Sequence, residues 1–405
     1  MAPMLSGLCA LAAIFASANA VPSAVATEVT ATNFVQKTIY HSPETPGYSS
    51  WCTLWRTKNG QLRVTFQQVT GPVAAPQQRT NVTVIIGSSD EGKTWNKLRE
   101  IPARKHLVTS TNSIYAAPDD TSFCGHGLAA LPDGTLVTGL WGRTGEDFGY
   151  VQRSSDDGRT WSKAIFFADK RYYRTWPSAI HRLRNGHLIL FAGIMKRKPG
   201  ELPTTRILKA MFESKDKGKT WSEPIWLMPE STGVCEESDF TELDNGDLLF
   251  VHRVEHYERG GQYVDGEKYV SDRWQGLVRR HGKKWEVEAP TKAPFPHGGF
   301  PELLKTREGV VLYVAVEGIW WTTDAGTHWQ RLDLKGDRSY MNAVPSPAFP
   351  PYPGIVLGGP YYPRAMQLTD GTILVVGHNG SDNAYGSVDQ AIVQQTFKLT
   401  VNTSK

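Results

Sequence analysis

The octapeptide SSDEGKTW occupies residues 88–95, and it returns as SSDDGRTW at residues 154–161 and as SKDKGKTW at residues 214–221. A fourth copy, TTDAGTHW, spans residues 322–329, and RRHGKKW at residues 279–285 is a shortened form. In each octapeptide an aspartate precedes a glycine by two positions. The carboxylate can accept backbone N–H bonds and the glycine allows a positive φ, so the repeat predicts the same kind of turn at each of these places.

Each octapeptide follows a longer unit of strand, polar turn and apolar strand, as in GLAALPDGTLVTGLW at residues 127–141. Such alternation around an Asx-Gly turn is typical of β-hairpins. The unit occurs six times, with turn glycines at Gly60, Gly134, Gly186, Gly246, Gly309 and Gly371. The first and last of these glycines lie 311 residues apart, a mean spacing of about 62 residues. Because such units cannot bury a face alone, we predict an all-β fold, a six-bladed β-propeller.

Closure of the propeller requires its two chain ends to meet. We expect the strand near residues 34–40 to pair with the last strand at residues 391–401, because closing the ring removes exposed sheet edges. A seventh blade is possible if the proline-rich segment at residues 341–357 hides a degenerate repeat. No second domain is predicted.

The N-terminal residues are typical of a signal peptide. Residues 4–20, MLSGLCALAAIFASANA, form an apolar run that ends in a small-x-small pattern at Ala18-Asn19-Ala20. The run is too short for a membrane anchor. We therefore expect residues 1–20 to be removed, residues 21–405 to form one propeller domain, and the protein to be secreted.

The charges of the chain are nearly balanced, with 44 Lys and Arg against 40 Asp and Glu and a net charge of +4. The chain has no basic tract of the kind that binds nucleic acid, and no later segment is typical of a membrane span. We therefore expect neither nucleic acid nor a membrane as a partner. We expect a monomer. Asn81, Asn379 and Asn402 begin sequons that would carry N-glycans in a secreted eukaryotic protein.

Three cysteines remain after Cys9 leaves with the signal peptide. Cys52 and Cys124 both enter inner strands of adjacent predicted blades, so their pairing is favoured and Cys235 is left free. No Cys/His spacing typical of a zinc site is present. We expect no required cofactor, although a structural Ca²⁺ is possible.

The octapeptides resemble the Asp boxes of the sialidase (neuraminidase) superfamily of β-propellers, and the hairpin repeat covers most of the chain after residue 20. The resemblance implies that the boxes are structural and lie on the face opposite the catalytic centre. It also implies a family site of three arginines that bind a carboxylate, a tyrosine nucleophile helped by a glutamate, and an aspartate acid/base.

Part of that set can be carried over. Arg253 in LLFVHR matches the family's second arginine, and Tyr362 matches the nucleophile by its spacing before the last turn glycine. Glu236 or Glu237 in CEESDFTEL matches the glutamate.

Other members of the set are missing. The family's first arginine has no counterpart in SSWCTL at residues 49–54, and the aspartate has none in QQVTGPVAAPQQRTN at residues 67–81. Ordinary sialidase activity is therefore not expected.

The loops that enter the inner strands of a propeller, and the ends of its second strands, meet at one mouth of the central channel. Polar and aromatic residues that converge there are candidates for a ligand site. The candidate catalytic residues are His126, Tyr362, Arg253 and His106. The candidate substrate-binding residues are Arg174, Trp176, Glu237, Arg143, His297 and Arg364.

Arginine, histidine and tyrosine without paired acids favour β-elimination at a uronate. A cation neutralises the carboxylate, a base removes the neighbouring C–H proton, and an acid protonates the leaving oxygen. We assign the cation to Arg253 with Arg174, and the base and acid to His126 and Tyr362 in an order left open. In residue types and architecture the chain is similar to secreted propeller lyases that act on glucuronate, including fungal enzymes that release a terminal rhamnose. We predict an exo-type polysaccharide lyase acting on acidic oligo- or polysaccharides.

Two other functions stay open. One is an exo-glycosidase of sialidase-like type, a hydrolase, and the other is a non-catalytic glycan-binding propeller. Two residues also have structural alternatives, since Arg253 could form an ion pair with Glu237 and Tyr362 could be a core residue.

Overall fold

The computed structural model describes residues 27–102, 127–140, 149–168, 172–196, 207–229, 234–257, 269–295, 300–316, 318–336, 360–379 and 389–403. Apart from a 3-10 turn at Pro76–Gln78, the regular structure in these ranges is β-strand. Within them, no helix has the length and apolar character needed to cross a membrane.

The first half of the chain contains β1 (Thr27–His41), β2 (Tyr48–Arg56), β3 (Leu62–Thr70), β4 (Thr80–Ser88), β5 (Asn96–Pro102), β6 (Leu128–Ala130), β7 (Leu136–Leu140), β8 (Tyr150–Ser154), β9 (Ile165–Phe166), β10 (Tyr172–Arg182), β11 (Leu188–Lys196), β12 (Ile207–Ser214) and β13 (Ile225–Trp226). The second half contains β14 (Val234–Glu242), β15 (Leu248–Tyr257), β16 (Tyr269–His281), β17 (Lys284–Val287), β18 (Thr291–Lys292), β19 (Glu302–Lys305), β20 (Val311–Ala315), β21 (Gly318–Thr322), β22 (Gln330–Arg331), β23 (Leu334–Gly336), β24 (Tyr361–Gln367), β25 (Ile373–His378) and β26 (Ala391–Thr403).

These strands form six sheets, one for each predicted hairpin unit. Blades one, two and three are β2–β5, β6–β9 and β10–β13. Blade four is β14–β17 with β18 beside β16, and blade five is β19–β22. Blade six has the order β23-β1-β26-β25-β24. The prediction of an all-β, six-bladed propeller is confirmed, and the segment at residues 341–357 lies outside the described residues.

Blade six closes the ring with strands from both ends of the chain. β1 pairs antiparallel with β26, from Thr27 opposite Thr403 to His41 opposite Ala391. On its other side β1 pairs in parallel with β23. The predicted pairing of the N-terminal strand with the last strand is therefore confirmed, and it makes blades six and one neighbours.

The core lies between the blades. Each of the six interfaces between neighbouring blades holds a cluster of buried apolar side chains. In β11 the run from Leu188 to Ala192 is apolar at every position and fully buried. A sheet that is covered by a blade on both faces buries both sets of alternating side chains, so its middle strands are apolar throughout.

The octapeptides form turns of one design. In the first, the Ser88 hydroxyl accepts the Gly92 N–H at 2.8 Å and the Asp90 carboxylate accepts the Thr94 N–H at 2.9 Å. Gly92 has φ 81°, a conformation that glycine adopts without strain. The same aspartate bonds recur at Asp156, Asp216 and Asp324.

These turns share one face of the propeller with the turns of the inner hairpins. Lys217 of the third octapeptide lies 2.6 Å from Asp133 in the hairpin turn of blade two. The indole of Trp55, near the end of β2, donates to Asp157 of the second octapeptide at 3.3 Å. The inner strands therefore begin at the opposite face, where the candidate site residues were expected.

The aspartates of these turns should act on stability alone. Asp156 accepts bonds from the backbone of Arg159 and from both the backbone and hydroxyl of Thr160, and the Thr160 bonds hold its pKa well below the ordinary range. Asp156→Ala should lower the free energy of unfolding by about 1–3 kcal/mol, measured by urea denaturation. Asp156→Asn keeps one acceptor oxygen, so its free energy of unfolding should fall by less than that of Asp156→Ala. A variant that unfolds like the parent but has lost its turnover would contradict a purely structural role.

Candidate active site

The mouth of the channel opposite the octapeptide turns is shaped by β-bulges. The register of the inner strands shifts after Ser50 in β2, after Cys235 in β14 and after Tyr361 in β24. A bulge bends its strand and re-aims the side chains beside it. The bulges of blades one, four and six thus determine which side chains meet at this mouth.

Two aromatic residues at these bulges have left-handed backbone. Trp51 has φ 57° and Tyr362 has φ 48°. Bulky residues rarely adopt this region, and such strained positions are concentrated at functional sites. Positive φ also occurs in the octapeptide turns, at Glu91, Asp157, Lys217 and Ala325, but at the mouth it falls on two large aromatic side chains.

Tyr362 and Glu237 form a buried pair. The Tyr362 hydroxyl donates to Glu237 Oε1 at 2.7 Å, and each residue is 7% exposed. Tyr362 belongs to blade six and Glu237 to blade four, with blade five between them. The bond therefore spans the mouth and places a phenol next to a carboxylate that can take its proton.

Arg253 lies between two carboxylates. Its Nη1 donates to Glu237 Oε2 at 2.5 Å, and its Nε donates to Glu255 Oε1 at 2.8 Å. The predicted ion pair between Arg253 and Glu237 is confirmed. Because this guanidinium already contacts two protein carboxylates, the arrangement does not favour Arg253 as the partner of a substrate carboxylate.

Three rings pack around Tyr362. Phe300 and His378 stack near it, with centroids at 6.1 Å and 5.9 Å, and Trp51 meets it edge to face at 6.4 Å. Phe300 and His378 are fully buried, whereas Trp51 is partly exposed. The two buried rings, Phe300 and His378, therefore hold the phenol in a fixed orientation, and Trp51 is the ring of this group that reaches solvent.

Two buried histidines stay neutral. Burial lowers the pKa of His378 to about 3. Burial, and next the charge of Lys209, lower the pKa of His252 well below its ordinary value. Among the described residues neither imidazole has a hydrogen-bond partner. Fully buried neutral rings serve packing here rather than proton transfer to a substrate.

A second polar network joins the inner strands of blades three to six. His181 contacts Asp239 at 2.6 Å, and Arg364 donates to Glu302 at 2.8 Å and lies over the Phe300 ring. Burial works to lower the pKa of His181, but the charge and hydrogen bond of Asp239 outweigh it and the pKa is raised. Burial raises the pKa of Glu302 to about 7 against the opposing charge of Arg364. Arg364 thus supports the ring beneath Tyr362.

The structure brings together part of the predicted set. Tyr362, Glu237 and Arg253 meet directly, and Arg364 lies one layer away. Outside the described residues lie His126, His106, Arg143 and His297. Arg174 and Trp176 occupy β10 opposite Met195 and Gly193. Substrate contacts by these residues and by Arg364 stay predictions.

The predicted disulfide is likewise untested. Cys52 is buried in β2, and Cys124 lies outside the described residues. Cys235 lies in β14, beside the bulge.

Sequence reasoning gave no role to Glu255, Phe300 or His378. Glu255 follows Arg253 by two positions on one strand, so the two side chains share a face, and that spacing was a usable signal. Phe300 precedes β19 and has no sequence signal that points to Tyr362. Trp51 was given no role either, although it lies in SSWCTL, the segment in which the first arginine of the sialidase family has no counterpart.

One recess among the described residues lies at the other end of the channel. A cavity of about 530 Å³ opens near the octapeptide turns, lined by residues of blades one to three that include Arg56, Lys58 and His181. It contains none of the residues around Tyr362. In the described ranges, no group of three or more His, Cys, Asp or Glu side chains is placed to hold a metal ion.

The chain belongs to the family of BNR repeat-like domains, whose model matches residues 36–375. No curated protein sequence matches the chain.

Solved structures with a similar fold include carbohydrate-active enzymes. An α-L-arabinanase from Penicillium chrysogenum, complexed with arabinobiose, is 17% identical with a TM-score of 0.58, over 91% of this chain and 98% of its own. An α-L-arabinofuranosidase from Fusarium graminearum is 14% identical with a TM-score of 0.56, over 89% and 96%. A sialidase from Trypanosoma rangeli is 13% identical with a TM-score of 0.52, over 90% and 59%. At these identities the similarity shows the fold.

His378 should make the protein less stable in acid. Because its folded pKa is about 3 and its ordinary value is 6.5, the unfolded chain takes up a proton that the folded chain does not, so stability falls as the pH drops below 6.5. His378→Phe keeps a ring beside Tyr361 and Tyr362 and removes this effect. The unfolding free energy of the variant minus that of the parent should be greater at about pH 4.5 than at about pH 7.5, by roughly 2–3 kcal/mol. Urea denaturation at both pH values measures it, and an unchanged difference would contradict the buried neutral state.

Proposed function

We propose that this protein is a carbohydrate-active enzyme that cleaves glycosidic bonds by hydrolysis, with Tyr362 as nucleophile and Glu237 as its base. The observation that carries the proposal is the bond of 2.7 Å between the Tyr362 hydroxyl and Glu237 Oε1 across the channel mouth. A phenol is a weak nucleophile unless an adjacent base takes its proton. The arabinanase, arabinofuranosidase and sialidase with similar folds support a glycoside as substrate.

The chemistry proceeds in two displacements. Tyr362 Oη attacks the anomeric carbon and gives its proton to Glu237, while the bond from that carbon to the leaving oxygen breaks. The leaving oxygen takes a proton from an acid, a role we give to His126. Water then attacks the anomeric carbon and gives a proton to His126, which lost its own in the first step; the bond from that carbon to Tyr362 Oη breaks, and Oη recovers its proton from Glu237. Arg253 keeps Glu237 oriented through its bond to Oε2.

β-Elimination at a uronate is the second candidate. It is favoured by the absence of Asp and Glu from residues 67–81, where the sialidase family has its acid/base. In that reaction Tyr362 and His126 exchange protons with the sugar, and the cation for the uronate carboxylate is Arg174 or Arg143, since Arg253 and Arg364 contact protein carboxylates. The product carries a C=C bond conjugated to the carboxylate.

The expected signal peptide at residues 1–20 supports an extracellular location. We propose that the protein is secreted after removal of residues 1–20, and that it acts as a monomer on acidic oligo- or polysaccharides. Secretion can be tested by measuring the intact mass of the secreted protein. The mass should show that residues 1–20 are missing and that N-glycans are attached at the sequons.

Removal of the Tyr362 hydroxyl tests the proposal. Tyr362→Phe keeps the ring packing and should lower turnover by about 10²–10⁴-fold, and Glu237→Gln should do the same because it removes the base. The matched control is Tyr361→Phe, the same change one residue away, which should stay close to the parent. Reducing-sugar release from neutral arabinans and acidic glycans provides the rate.

Two outcomes separate the candidates. Saturated products support hydrolysis, and products that absorb in the ultraviolet identify β-elimination. Parental turnover in Tyr362→Phe would refute both.

A further inference from the structure

Trp51 lies in SSWCTL, the segment at the start of blade one where the sialidase resemblance implies an arginine that binds a carboxylate. It lies beside the bulge of β2, with φ 57°. A tryptophan adopts this conformation only when its surroundings hold it there. The fold thus presents an indole, not a cation, at this point of the mouth.

The indole is directly beside the reactive phenol. Its ring meets Tyr362 at 6.4 Å with an interplanar angle of 84°, and meets Tyr48 at 6.4 Å with an angle of 78°. It packs on a buried apolar cluster that contains Phe300 and Tyr361. Packing on that side fixes the ring, and the remaining part of the indole is exposed at the mouth.

The charges of the described mouth residues do not favour an anion beside Trp51. Arg253 contacts Glu237 and Glu255, and Arg364 contacts Glu302. A rigid, partly exposed aromatic ring can bind a neutral sugar, because the C–H groups of one sugar face pack on the ring.

We propose that Trp51 forms the wall of the subsite that holds the sugar whose anomeric carbon reacts, and that this sugar is neutral and bound by stacking rather than by an ion pair. The inference rests on the proposed function, because it takes Tyr362 as the reacting group. An acidic residue of the glycan then lies outside this subsite, beyond the bond that is cleaved.

Glycine and phenylalanine variants test this role. Trp51→Gly removes the ring, and because glycine accepts the positive φ, relief of backbone strain offsets part of the packing that is lost; near-ultraviolet circular dichroism and thermal unfolding check that the variant is folded. Its KM should rise about 5- to 10-fold with little change in kcat, because stacking holds the sugar in the ground state and transition state alike. Trp51→Phe should bind within about 3-fold of the parent. Trp95→Phe, in the first octapeptide turn and bonded to Gln394, is the control and should leave KM unchanged.

Calorimetric binding in a Tyr362→Phe background separates this inference from the proposed function. The probes are L-arabinobiose, L-rhamnose and D-glucuronic acid. At least one neutral probe should bind more tightly than D-glucuronic acid, and Trp51→Gly should weaken that binding about 5- to 10-fold.

Three results would overturn the inference. These are tighter binding of D-glucuronic acid than of either neutral probe, no binding of a neutral probe, and unchanged binding in Trp51→Gly. Parental turnover in Tyr362→Phe would instead refute the proposed function, and the binding measurements would still decide the role of Trp51.

Discussion

The antiparallel pairing of β1 with β26 joins the two ends of the described chain, from Thr27 opposite Thr403 to His41 opposite Ala391. Without this pairing blade six would lack its fourth and fifth strands, and blades six and one would not be neighbours. The contact of Trp51 in blade one with Tyr362 in blade six depends on that closure. Because the ring is closed, residues far apart in sequence meet at one mouth of one channel.

The two faces of the closed ring are held by different kinds of contact. At one face the turns are built from local bonds, such as Ser88 to Gly92 and Asp90 to Thr94, which form wherever the octapeptide occurs. At the other face the contacts are long-range, such as Tyr362 to Glu237, and the backbone at Tyr362 is strained. Local order at one face thus stabilises a ring that can hold strained residues at the other.

The sequence predicted those features that repeat or have a fixed local chemistry. The turn glycines from Gly60 to Gly371 marked all six blades, and the position of Tyr362 before the last of them marked the candidate nucleophile. The sequence allowed an ion pair of Arg253 with Glu237 and placed Glu255 on the same face of β15 as Arg253, but only the three-dimensional arrangement showed that the guanidinium contacts both carboxylates at once. The packing of Phe300 on Tyr362 comes from a different blade and leaves no trace in either segment.

In the proposed reaction Tyr362 attacks the anomeric carbon of the glycoside. Trapping with an activated 2-deoxy-2-fluoro sugar of the accepted type, followed by peptide mass spectrometry, tests it most directly, because the fluorine slows the breakdown of a covalent intermediate. Two displacements through Tyr362 should give a glycosyl adduct on this residue and products released with retained anomeric configuration. Products of inverted configuration, or an adduct on another residue, would contradict it.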